Sequence, residues 1–323
     1  MKLVLLALVI LLSGCQFGPE PMALYWHNWG DTQLNLWQQD SQILLSTTTD
    51  YCAGNAELDA VQQEWQNVFA RWSRINAFPY KGIADLTLEF ELYFWPDRRN
   101  RIEGQLRQRL SAGDSANPQL LETRIAAEKG LAAIEWLVFA ADTDRASRCQ
   151  MLAGTAEDYD NKVAMVADYH QQNPVVHPDW LSADNPAQSN SIALNLLFSQ
   201  LTALTSRLAN SVDAESHWLA DQAYGWRSGS TLAGFTASLD SLLEHLDYLV
   251  ARPELAHETH QQLLELMSQG RELSQNMPAS QMTDASTAAA DLLVWLGELE
   301  SLLQGHISHD FNVLIGFNNF DGD

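Results

Sequence analysis

Apolar residues recur along this chain at steps of three and four, the spacing that lines one face of an α-helix. Leu58, Val61, Trp65, Val68, Trp72 and Ile75 make one such stripe. Others run through Leu120–Phe139, Ile192–Leu208, Leu232–Val250 and Leu292–Leu303, with a weaker one over Leu263–Leu273. The alternation expected of half-buried strands is confined to Leu86-Thr87-Leu88-Glu89-Phe90-Glu91-Leu92. That segment reads either as one short strand or as an irregular lead into Trp95-Pro96. Each amphipathic helix must bury its stripe against another helix, so the pattern predicts an all-α fold made of helical bundles.

Loop composition divides the chain. Ser111–Pro118 is a Gly/Asp/Asn/Pro turn, and Gln171–Asn190 contains Pro174, Pro178 and Pro186 among Asn, Asp and Ser. The second stretch is the expected boundary between an N-terminal bundle over 23–180 and a C-terminal bundle over 181–323.

The first residues are Met1-Lys2, an apolar run from Leu3 to Leu12, then Ser13-Gly14-Cys15. A positive start, an apolar stretch and small residues before a cut site make a secretory signal over 1–14. Ten helical residues reach only about 15 Å, half of a ~30 Å hydrocarbon core, so the run is too short to span a bilayer. The Leu-Ser-Gly-Cys ending resembles the bacterial lipobox, which implies acylation of Cys15 and a lipidated tether over 15–22. Gln16 resembles the sorting pattern for the outer membrane, so the expected location is lipid-anchored on its periplasmic side. The plainer alternative is an ordinary cleaved signal with a spectator cysteine.

Acidic residues outnumber basic ones 41 to 18, for a net charge of -23. Such a surface repels nucleic acid and attracts cations. With Cys15 assigned to lipid, Cys52 and Cys149 remain. In an oxidising compartment a pair reads as a disulfide, and closing a loop of about 100 residues gains roughly 4–5 kcal/mol in the chain-entropy model. Two buried free thiols are the alternative.

Four local signatures stand out. They are Tyr93-Phe94-Trp95-Pro96-Asp97-Arg98-Arg99-Asn100-Arg101, Gly130-Leu131-Ala132-Ala133-Ile134-Glu135, Trp226-Arg227-Ser228-Gly229-Ser230, and Gly316-Phe317-Asn318-Asn319-Phe320-Asp321-Gly322-Asp323. Together and in this order they resemble the imelysin family, the insulin-cleaving membrane peptidase group and its periplasmic relatives. The resemblance covers nearly all of the chain beyond the signal. It implies two packed four-helix-type bundles with these motifs gathered near their interface. It also implies a ligand pocket drawing on Trp95, Asp97, Gly130, Glu135, Arg227, Ser228, Asn318, Asp321 and Asp323.

The family motif is Gly-x-His-x-x-Glu. Gly130 and Glu135 match it, but the His position is Ala132, which has no lone pair to offer a metal. Glu135 and Asp321 are the remaining candidates to ligate a divalent or ferric ion. The competing expectation for Glu135 is a buried carboxylate paired with arginine. Glu128 lies two helical turns from Glu135, about 10 Å along the axis, too far for the two to share an ion unaided. A metalloprotease helix needs His-Glu-x-x-His, whereas His257-Glu258-Thr259-His260 has the wrong spacing and reads as an exposed helix face. His306 and His309, just before the terminal motif, could replace the missing imidazole. The leading expectation is a non-enzymatic periplasmic binding lipoprotein, to which the resemblance adds a role in iron or metal acquisition beside an outer-membrane uptake receptor. A metallopeptidase and a carbohydrate-binding or interaction scaffold are the alternatives.

Overall fold

The computed structural model describes residues 21–112, 124–176, 186–219, 221–277 and 286–316. Among these residues the structure is helical, and the β-pairing is a single isolated bridge between Val212 and Trp218. No helix among them is long and apolar enough to cross a membrane.

The first group of helices is built on α1 (Met22–Ala53), α2 (Leu58–Ile75) and α7 (Arg145–Gln172). α1 packs along both of the others. Short pieces fill the interval between α2 and α7: α3 (Lys81–Asp85), α4 (Glu89–Leu92), α5 (Arg101–Ala112) and α6 (Gly130–Glu135), which runs on into a wider turn over Trp136–Ala140. A disulfide joins Cys52 near the end of α1 to Cys149 in the first turns of α7, with their Cα atoms 5.6 Å apart. The second group comprises α8 (Pro186–Ser211), α9 (Thr231–Val250), α10 (His257–Asn276) and α11 (Ser286–Leu302), followed by the single turn α12 (Ser308–Asp310). In it α9 packs on α8 and α10, and α11 closes against both α10 and α8.

The groups meet where α2 lies on α9 and α1 on α8. Gly234 permits the α2–α9 approach, since a Cβ there would stand 2.8 Å from the Phe69 ring. The Ser238 hydroxyl sits within reach of the Ser73 carbonyl at 2.7 Å across the same seam. At the other seam the Ala23 amide donates to Ser189 Oγ at 2.9 Å, and α1 also reaches α9, where Tyr25 stacks on Tyr248 with ring centres 3.9 Å apart. One apolar core, from Trp26 and Trp65 through Leu239 to Trp295, continues across both groups.

One open reading is decided and one expectation changes. Leu86–Leu92 forms no strand. Its amides bond locally, Leu88 N–H to the Ile83 carbonyl at 2.8 Å and Leu92 N–H to that of Leu88 at 2.8 Å. A lone strand here would have had no neighbour to satisfy those groups. The Leu120–Phe139 stripe is also not one helix. Residues 120–123 lie outside those described, Ala126–Glu128 is a 3-10 turn, and the α-helix starts only at Gly130. The Glu128 carboxylate accepts the Ile125 N–H at 3.0 Å and closes that turn before the helix can begin.

Candidate functional site

α6 carries the acid of the family motif to the junction. It begins at Gly130, whose φ of +69° lies in the left-handed region. A Cβ there would fall 2.3 Å from the Glu91 carbonyl oxygen and 2.5 Å from that of Leu92. Only glycine allows α6 to start pressed onto the end of α4. From the other side the Trp65 indole N–H donates to the Leu131 carbonyl at 2.8 Å. Held in this way, the helix ends at Glu135, which is 1% exposed. Ala132, at the position of the motif histidine, is buried in the same short helix.

Facing Glu135 is the turn that leads into α9. The Ser228 N–H donates to Glu135 Oε1 at 2.9 Å. The Ser228 hydroxyl lies 3.0 Å from that same oxygen and 3.0 Å from the Gly225 carbonyl, so its single proton serves one of them at a time. Burial pushes the Glu135 carboxyl above the usual range, and the Ser228 N–H, the Arg227 guanidinium and the Ser228 hydroxyl draw it part of the way back. The preceding residue is gripped by a second acid. Arg227 Nη2 donates to Asp97 Oδ2 at 3.1 Å and to Asn100 Oδ1 at 2.9 Å, and its guanidinium lies 4.6 Å from the Trp226 ring centre. Both side chains of the Asp97–Arg227 pair are only 4% exposed. Asp97 also accepts the Arg101 N–H at 2.7 Å and the Ile102 N–H at 3.2 Å, which satisfies the free amides at the start of α5.

Four of the residues singled out in the sequence, Asp97, Glu135, Arg227 and Ser228, thus form one connected polar cluster where the helix groups meet. Trp95 borders it, donating its indole N–H to the Gln222 carbonyl at 3.0 Å. Gly130 serves by packing rather than by contact with the cluster. Cys15, Asn318, Asp321 and Asp323 lie outside the described residues. Tyr93 and Asn100 belong to the cluster without having been singled out individually, the Tyr93 hydroxyl by accepting the Gly225 N–H at 3.1 Å. Both sit inside the Tyr93–Arg101 signature, which was their only sequence signal. Glu128 stands apart, bound to Arg109 at 2.8 and 3.3 Å.

Among the described residues of the cluster the donor set does not suit a metal ion. The shared oxygen of Glu135 already faces N–H and O–H donors. Asp97 is enclosed by two amides and a guanidinium, and a cation brought between these acids would stand against Arg227. Ala132 adds no ligand. The histidines considered from the sequence do not fill the gap. His257 is exposed on α10 with His260 partly so, and His306 and His309 are exposed beyond α11. Asp310 beside them accepts the Ala256 N–H at 2.9 Å, which holds the start of α10. Among the described residues one acid–histidine group, Asp213, Glu215 and His217, brings its ligand atoms within 4.8 Å of one another. It is an exposed loop closed on itself, with Asp213 Oδ1 accepting the Glu215 and His217 amides at 2.9 and 2.8 Å.

A family model described as Imelysin matches residues 32–303. The structure superposes on the crystal structure of an imelysin-like protein from Psychrobacter arcticum 273-4 with a TM-score of 0.74, covering 93% of this chain and 98% of that one at 15% sequence identity. No curated protein matches the chain.

Two outcomes test the cluster. Asp97→Ala leaves the Arg227 charge buried and unpaired and should cost about 3–5 kcal/mol in chemical denaturation. The double variant Asp97→Ala/Arg227→Met should cost less than the two single changes added together, by on the order of 1–3 kcal/mol, whereas strict additivity would show the pair uncoupled. Glu135 sets a pH dependence. Because its carboxyl is raised in the folded state, its contribution is complete below the unfolded value near 4.5 and is lost as pH rises through the raised one. Glu135→Gln has nothing to titrate there, so its stability relative to the parent should improve as pH rises above the unfolded value near 4.5. Parallel stability curves for the two proteins would contradict the assignment.

Proposed function

The chain belongs to the imelysin family, and from that footing we propose that it is an exported, lipid-anchored binding protein that does not hydrolyse peptides. The observation that carries this reading is the commitment of Glu135. A metallopeptidase needs several protein ligands on one ion, an open position for water and a base to activate it. Here the motif acid is buried and hydrogen-bonded to the Arg227–Ser228 turn, the motif histidine is Ala132, and no described histidine touches either acid. What remains is a rigid joint between two helix groups, suited to holding a binding surface rather than to activating water.

The export half rests on the signal over 1–14, on Cys15 directly after it, and on the Cys52–Cys149 disulfide, a bond that persists in oxidising compartments. Acyl chains on Cys15 would anchor the protein through its first residues, on the periplasmic side of the outer membrane, with the bundles free to meet a partner. The part in iron or metal acquisition, beside an outer-membrane receptor, comes from the family resemblance. With Glu135 and Asp97 committed, metal would be handled as a chelate or by other groups of this acidic surface.

Purified protein should leave insulin B chain and casein intact with or without added zinc or iron. Chelator-sensitive cleavage that disappears in Glu135→Ala would instead establish a metallopeptidase. In a Gram-negative host the chain should incorporate labelled palmitate and sediment with membranes. The Cys15→Ser variant should do neither, and its continued sedimentation with membranes would remove the anchor from the reading.

A further inference from the structure

A second feature of the junction adjoins the acid cluster and shares Tyr93 with it. A cavity of about 460 Å³ opens between the segment from α2 to Pro96 and the outer face of α8, with Tyr224 in its wall. Its volume falls in the range of small-molecule sites. Its sides are aromatic: Trp72, Phe78, Tyr93, Trp95 and Tyr224 line it, and Phe90 stands half-exposed at the mouth.

Arg207 of α8 also lines this cavity, and no carboxylate pairs with it among the described residues. Arg71, Arg74, Arg109, Arg227 and Arg252 each face a carboxylate. Arg148, which does not, is saturated by the Leu137 and Ala141 carbonyls and the Tyr51 hydroxyl. Arg207 has only hydroxyls and a ring. Its Nη1 is 3.3 Å from Ser238 Oγ, and its guanidinium lies 5.5 Å from the Tyr224 ring centre and within hydrogen-bonding reach of that phenol. A guanidinium carries five N–H donors, so most of these are left without an acceptor among the described residues. In a chain with 41 acidic and 18 basic residues, a cation enclosed without a carboxylate is the harder arrangement to reach by chance. The Glu89 carboxylate, the acid among the lining residues, is exposed at the mouth and makes no pair with Arg207. Beside Arg207, Asn76 donates to the Tyr224 hydroxyl at 2.9 Å while its Oδ1 is buried without a partner.

From the cavity, its aromatic walls and this guanidinium we propose that the cleft between the helix groups binds a small carboxylate with a flat aromatic body. The carboxylate takes the free fork of Arg207, whose planar donors match both of its oxygens. The body lies among the rings, and a hydrogen-bond donor on the ligand meets Asn76 Oδ1. A free aromatic acid and the carboxyl end of a peptide finishing in an aromatic residue share this chemistry. The site is separate from the metal question and stands whether or not the chain serves metal uptake.

Calorimetry on the purified full chain tests it with 2-naphthoate, its neutral counterpart 2-naphthamide, and the tripeptide Gly-Gly-Phe. The acid should bind at least ten-fold more tightly than the amide. Arg207→Gln should remove that preference, weakening the acid at least ten-fold and leaving the amide unchanged. Ala84→Trp, which keeps Arg207 but fills the cavity from an exposed lining position, should abolish binding of both. Tighter binding of the tripeptide than of naphthoate would identify a peptide end as the ligand, and the reverse a free acid. Equal affinity for acid and amide, or no binding of either carboxylate at millimolar concentration, overturns the proposal. Because that comparison uses the unaltered protein, it decides the matter even if Arg207→Gln fails to fold.

Discussion

The hydrogen bonds between Glu135 and Ser228 set the geometry on which the rest of the junction depends. A carboxylate taken out of water is costly, and it is tolerated only where donors replace its hydration. Here the donors come from a turn some 90 residues later in sequence (Ser228 N–H and O–H). Satisfying the acid therefore requires the turn before α9 to sit against the end of α6. Once the turn is there, Arg227 is carried to Asp97, Gly225 to the Tyr93 hydroxyl, and Tyr224 into the wall of the cleft. One buried acid thus fixes the relative placement of two helix groups that apolar packing alone would leave freer to slide.

Much of this was legible in the sequence, and the misses share a cause. The stripe from Leu58 to Ile75 became α2 because its inward positions, Ser73 apart, are apolar. α1 and α7, the longest described helices, carried no such stripe, since their inward faces include Gln33, Ser41, Thr48, Arg148, Thr155, Lys162 and His170. Two of those polar groups pair directly across the interface, Ser41 with Asp160 at 2.6 Å and His170 with Asp31 at 2.8 Å, as does the Trp37 indole with the Tyr159 hydroxyl at 2.9 Å. Periodicity measures hydrophobicity and is blind to a buried polar residue whose partner is 120 residues away. The same blindness made Leu86–Leu92 resemble a strand, when the deciding fact was the absence of any neighbour for it to pair with.

The acid cluster was legible in composition but not in role. The sequence left open whether Glu135 serves a ligand or answers an internal donor, and the structure surrounds it with internal donors. It also pointed to arginine as the partner, while the direct hydrogen bonds come from serine, with Arg227 reaching Asp97 instead. The distinction follows from geometry that spacing cannot encode. Adjacent residues in a tight turn point in different directions, so Ser228 and Arg227 meet different acids.

Arg207 and Arg227 show why charge totals say little about where charge acts. Both are enclosed near the same junction in a strongly acidic chain. Arg227 is neutralised by Asp97 and buttressed by Asn100 and Trp226, so it is a structural cation whose charge is already met within the protein. Arg207 faces hydroxyls and rings, which stabilise a guanidinium only weakly and leave its fork open. Burial lowers its proton affinity, yet a guanidinium remains charged under any ordinary condition. A permanent cation that the fold encloses without neutralising keeps a positive potential inside a wall of aromatic rings. The negative exterior repels anions at long range, but salt screens that repulsion within about 10 Å, so the local field at Arg207 governs what the cleft holds.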